Sequence, residues 1–164
     1  YWDKSKGIFL EKSPPNICRA KKIEEEFEKV KFICLVRNPY AQVEGKMRRY
    51  NTSAEEAAKL SIQYLKYQKE NTEHLKNTLL IRYEDLAENT NHIKEAIIAF
   101  LPELSDINTE LKFKAHNLRA EKNMAITNLN PEKIAKIKNE DLLIINNAFK
   151  KEEELLNYFN YQII

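Results

Sequence analysis

The sequence has only two glycines in 164 residues, Gly7 and Gly45. A loop that cradles phosphate with its backbone needs close approach, usually through several glycines, so no such loop is expected within this chain. The two cysteines, Cys18 and Cys34, are too few for a disulfide framework. Cys34 falls inside an apolar run, where a buried structural thiol is expected. This allows a reducing compartment, and the cytoplasm is the favoured location. No apolar run approaches the ~18 residues of a membrane-spanning helix. The N-terminal YWDKSKGIFLEKSPPN lacks the apolar core of a signal peptide. Neither sign of charge dominates: 27 Lys and Arg against 25 Asp and Glu leave a net charge of +2. Nucleic acid and membrane surfaces are therefore not expected partners, and any anion site must be local. The histidines and cysteines are scattered without ligand spacing, so no metal site is expected.

The chain does have the material of one domain, residues 1–164, with 43% hydrophobic and 32% charged residues. Three short apolar runs are strand candidates: Ile8 to Glu11, Phe32 to Arg37, and Thr78 to Tyr83. Their lengths suit parallel strands covered on both faces. Ser13 and Pro14-Pro15 predict a helix start, with Ile17, Ala20, Ile23, Phe27 and Val30 at core spacing. Pro39 to Arg49 is a second helix. Ser53 and Glu56 form a capping box for a third, running to about Lys76. Ala57, Leu60, Tyr64 and Leu65 are expected to face the core. Thr90 to Leu101 is a further helix. Pro102 to Asn130 is mostly polar, without a clear period. Asn130-Pro131 starts a short helix through Ile137. Asn139 caps a last one, carrying Leu142, Ile145, Phe149 and Leu156. The fold class is therefore α/β, with right-handed crossovers and a helical C-terminus. The chain begins just ahead of its first strand candidate, and a further N-terminal piece is expected to widen the narrow sheet.

The richest stretch is Lys31 to Arg49, KFICLVRNPYAQVEGKMRR. An apolar strand delivers Arg37 to its carboxyl end, and Asn38-Pro39 turns at once into a helix. In open parallel sheets ligands bind at the carboxyl ends of strands. A fixed cation beside free helix N–H groups suits phosphate. Lys12 follows the first strand candidate and Tyr83 ends the third, so all three residues should emerge on one sheet edge. Two cations and an aromatic there suit a nucleotide bearing phosphates.

These three blocks, FLEKSPPN, FICLVRNPYAQVEGKMRR and LLIRYEDL, resemble sulfotransferases that use 3′-phosphoadenosine-5′-phosphosulfate, bacterial ones among them, and the EKSP segment resembles that of the glycosaminoglycan and tyrosylprotein types. The resemblance spans about Trp2 to Leu101. It implies a three-layer fold like that of P-loop NTPases, with a short parallel sheet flanked by helices. It also implies a preceding strand-loop-helix that would hold the phosphosulfate and supply a catalytic base.

The site residues follow from the same resemblance. Arg37 would bind the 3′-phosphate of the nucleotide. A serine usually shares that phosphate eight residues later, but here Gly45 stands in its place, and Arg48 or Arg49 could compensate unless they form a solvated helix face. Tyr83 would contact the adenine. Lys12 would lie near the sulfuryl group as the catalytic cation, stabilising charge on the leaving oxygen. Glu11, on the opposite face of the strand, would be structural. In the late segment His116 to Asn128, Arg119, Lys122 and Asn123 could reach the nucleotide, and His116 the acceptor. His74 and His92 are expected at the surface.

The implied activity is sulfuryl transfer from the nucleotide donor to an acceptor hydroxyl or amine on a carbohydrate, peptide or small alcohol. The alternative is a non-catalytic or degenerate sulfotransferase-like module for nucleotide or protein binding. A kinase-like relative would need a Mg²⁺-binding Ser/Thr and Asp pair, which is not evident. The sequence does not fix the oligomeric state, and a homo-oligomer is allowed.

Overall fold

The computed structural model describes residues 5–112 and 124–164. Among them, helices pack with a two-stranded parallel sheet. Strand β1, Phe32–Val36, pairs with β2, Thr78–Arg82, in a register that sets Phe32 beside Thr78 and Val36 beside Arg82. The period of two turns Cys34 and Val36 into the core, while Ile33 and Leu35 lie on the other face of β1 and are exposed. The expected cover on both faces therefore does not hold for β1 among the described residues.

Two helices join the strands. Helix α2 spans Pro39–Tyr50, and α3 spans Ala54–His74. Asn38 ends β1's exit turn and caps α2: its Oδ1 accepts from the Tyr40 N–H at 3.0 Å, and Pro39 fills the first helical position. Ser53 and Glu56 form the expected capping box on α3, with the Glu56 N–H donating to Ser53 Oγ at 3.2 Å. A Ser53→Ala variant should lose about 1 kcal/mol of stability in urea unfolding, the usual cost of losing such a cap.

After β2 come α4, Tyr83–Glu88, and α5, Thr90–Phe100. The C-terminal part comprises α6, Asn130–Ile134, α7, Asn139–Lys150, and α8, Glu153–Tyr158. The core lies where α2, α3 and α7 meet β1. Its centre is Tyr40, packed edge-on against Phe149 with ring centroids 4.9 Å apart. The Tyr40 hydroxyl donates to Asn146 Oδ1 and accepts from the Ile164 N–H at 3.3 Å, which ties the C-terminus to this core.

Several expectations are corrected. Ile8 to Glu11 forms no strand and lies outside the two-stranded sheet, with Leu10 80% exposed. Glu11 therefore has no opposite sheet face to occupy. Ser13 precedes a short 3-10 turn, Pro14–Cys18, without a side-chain cap, and the first α-helix, α1, is Ala20–Glu26. Phe27 lies beyond its end and is exposed. On α3, Leu60 and Tyr64 are exposed, because α3 packs closely through the small residues Ala57, Ala58 and Ser61 together with Leu65. Tyr64 receives the Lys46 ammonium over its ring instead, at 4.1 Å. Tyr83 opens a helix rather than ending a strand, and Asn139 is the first residue of α7, with Lys138 at the cap.

Cys34 is buried and Cys18 exposed, both as free thiols. Burial pushes the Cys34 thiol up to about 11. The folded state thus keeps a proton that the unfolded chain releases near its ordinary value of 9.0. This contribution to stability is full below pH 9 and lost as pH rises from 9 to about 11. The urea midpoint should fall across that window, and Cys34→Ala should flatten the fall. In native protein at neutral pH, one thiol should react rapidly with a disulfide reagent, and two after unfolding.

Candidate functional site

The register brings two of the predicted site residues together. Val36 and Arg82 are paired at the carboxyl ends of the strands, so the next residues, Arg37 and Tyr83, emerge side by side. The Arg37 guanidinium lies over the Tyr83 ring, with Cζ 4.2 Å from the centroid. Such stacking fixes the plane of the guanidinium and directs its remaining N–H groups.

A polar network holds this pair. Arg37 Nε donates to Asn130 Oδ1 at 2.7 Å. Asn130, only 4% exposed, donates through Nδ2 to Glu84 Oε1. The same oxygen accepts the Asn38 N–H at 2.7 Å, and Glu84 Oε2 accepts the Tyr161 hydroxyl at 3.0 Å. Burial, and then the Glu84 charge, push the Tyr161 phenol up, so it stays a donor. Tyr83 is fixed in turn: its hydroxyl donates to the Thr127 carbonyl at 2.6 Å and accepts the Leu129 N–H at 3.3 Å. Residues 127–130 thereby clamp both Arg37 and Tyr83.

One group in this network is left over. Arg37 Nη2 is buried and has no hydrogen-bond partner among the described residues. A buried guanidinium N–H without an acceptor is costly, and an anion beside it would remove that cost. The α2 N-terminus contributes less than expected. Asn38 Oδ1 takes the Tyr40 N–H and, at 3.4 Å, the Ala41 N–H, while Gln42 N donates to the Asn38 carbonyl. Any anion at this edge would therefore be met by side chains.

A model described as the sulfotransferase family matches residues 2–106, more than half of the chain. The chain belongs to the sulfotransferase family. Comparison with curated proteins and with solved structures returned no match. The matched region of this sulfotransferase-family chain contains both strands, Arg37, Gly45 and Tyr83.

The other expected site residues are not drawn into the cluster to the same degree. Lys12 is exposed in the irregular segment before Pro14, and no described contact joins it to Arg37 or Tyr83. Arg48 is bound to Glu44, Nε to Oε1 at 2.9 Å, with its side chain 58% exposed. Arg49 is exposed. His74 and His92 are at the surface, as expected. Lys122 and Asn123, with His116 and Arg119, lie outside the described residues. Among the described residues no group of three His, Cys, Asp or Glu is placed to hold a metal ion. No helix among them is long and apolar enough to cross a membrane.

Three residues of the site carried no signal as such in the sequence. Glu84 lies inside the recognised RYEDL block but was not separable from its neighbours. Asn130 was visible only as a helix start. Lys133, on α6, has its Nζ 3.7 Å from the Cβ that a side chain at Gly45 would carry.

Proposed function

We propose that this chain is the nucleotide-binding part of a sulfotransferase that uses 3′-phosphoadenosine-5′-phosphosulfate and transfers the sulfuryl group to an acceptor hydroxyl or amine. The observation that carries this reading is the unsatisfied Arg37 Nη2, buried at the carboxyl edge of the sheet in a chain of this family. Arg37 would take the 3′-phosphate through that group. Its Nε is already engaged by Asn130, so one edge of the guanidinium is held and Nη2 is left to bind. Tyr83 would meet the adenine through its ring, since its hydroxyl is engaged by Thr127 and Leu129. The wider three-layer, P-loop-like arrangement belongs to this reading as well.

Transfer forms a bond from sulfur to the acceptor atom and breaks the bond from sulfur to the bridging phosphate oxygen, while the acceptor proton leaves to a base. Negative charge grows on the departing 5′-phosphate. An ammonium at that oxygen lowers the barrier, because it is attracted more to the transition state than to the ground state. In this reading Lys12 fills that role. Its exposed setting lets the side chain swing toward the donor.

The test is a calorimetric titration of the full-length protein with 3′-phosphoadenosine-5′-phosphate, the desulfated product, and with adenosine 5′-monophosphate. The bisphosphate should bind at least about tenfold more tightly, the value of one charge-assisted contact. Equal affinities, or none, would overturn the assignment.

A further inference from the structure

Gly45 removes the hydroxyl that would share the 3′-phosphate with Arg37, yet the space beside it is not empty. Lys133 Nζ comes within 3.7 Å of the Cβ position of residue 45. The Cβ of a serine there would stand in ordinary van der Waals contact with that ammonium. Lys133 is half-buried, and α6 packs against α2. Glu132 on α6 is paired elsewhere: it binds Lys136, beyond the helix end, at 2.6 Å. Lys133 itself has no ion-pair partner within 4.0 Å among the described residues.

The charges around Lys133 are unbalanced. Arg37, Arg48 and Arg49 act on it with the same sign, and Glu44 is the opposing carboxylate. Glu44 already gives Oε1 to Arg48. Burial first, and then the Arg37 charge, hold the Lys133 ammonium below its usual range, with the Glu44 carboxylate opposing them. The same short helix positions both principal cations. Asn130 opens α6 and binds Arg37, and Lys133 follows three residues later, on the same side of the helix as Asn130.

We propose that Lys133 is a binding residue for the 3′-phosphate, supplying from α6 the second contact that Gly45 cannot make from α2. This rests on the nucleotide reading above and adds to it a residue outside the region that the family model matches. Gly45 and Lys133 then form a matched pair. Position 45 offers no side chain, and the long one from α6 brings a full charge in place of a hydroxyl.

The experiment is calorimetry on the full-length protein with the same two nucleotides, using Lys133→Met, Lys133→Gln and the double variant Gly45→Ser/Lys133→Met, each checked by thermal melting. Both single variants should bind 3′-phosphoadenosine-5′-phosphate about tenfold more weakly, with adenosine 5′-monophosphate affinity unchanged within about twofold. The double variant should recover most of the loss. Unchanged bisphosphate binding in both single variants, with Arg37→Ala still impaired, overturns the role of Lys133 alone. Equal losses for both nucleotides also overturn it, because the residue would then act only through structure. Parent protein that fails to distinguish the two nucleotides overturns the nucleotide reading and this proposal together.

Discussion

Replacing Arg37 with alanine should raise the dissociation constant for 3′-phosphoadenosine-5′-phosphate by about 100-fold. The guanidinium is held on one side by Asn130 and on its face by Tyr83, so its orientation is fixed before any ligand arrives. Such preorganisation means that little entropy is lost on binding. Hydrogen bonds to charged groups contribute about 1.5–3 kcal/mol each, and a loss of about 2.7 kcal/mol corresponds to 100-fold. Arg37→Lys should fall between parent and alanine, since it keeps the charge but loses the planar fork and the stack on Tyr83. Both variants can be read by calorimetry. Identical affinity in parent and Arg37→Ala would remove Arg37 from the site.

The second large effect is on stability. Glu84→Ala should destabilise the fold by about 3 kcal/mol in urea unfolding. The Glu84 carboxylate accepts from the Asn38 N–H, the Asn130 amide and the Tyr161 hydroxyl, three donors separated by up to 123 positions in the chain. Without it, polar groups lose their acceptor in a half-buried setting, at a cost of about 1–3 kcal/mol each and less than additively. Glu84→Gln keeps two acceptor sites on one oxygen and should lose less. Because Asn130 also orients Arg37, Glu84→Ala should weaken nucleotide binding even at temperatures where the protein stays folded. A variant with parental stability would show that the network is redundant.

Much of the positioning framework was legible in the sequence because it rests on local rules. Asn38-Pro39 and the Ser53–Glu56 box are short-range caps, and both appear where the pattern puts them. Phe32–Val36 and Thr78–Arg82 are compact apolar runs that found each other in register. Ile8 to Glu11 carries a similar run, but a strand is fixed by its packing context rather than by its composition, and this run lies exposed outside the two-stranded sheet. The α3 core face was misread at Leu60 and Tyr64 because burial followed small residues that allow close helix approach, not the largest apolar ones. In YEDL, the acidic Glu84 and Asp85 are a first-turn helix signal that was outweighed by the apolar run before them.

The site itself divides along the same line. Arg37 and Tyr83 were accessible through strand-end logic and family resemblance. Glu84, Asn130 and Lys133 were not, since Asn130 reaches Glu84 across 46 positions and Arg37 across 93, and no period or spacing marks such pairs. Gly45 was visible as a departure from the family pattern, whereas the lysine beside it could be found only in three dimensions.

The most direct measurement is a crystal structure of the full-length protein with 3′-phosphoadenosine-5′-phosphate bound. Arg37 Nη2 should lie about 2.7–3.2 Å from an oxygen of the 3′-phosphate, with the Tyr83 ring beside the adenine. A nucleotide seated elsewhere, with Arg37 Nη2 still lacking an acceptor, would contradict this placement.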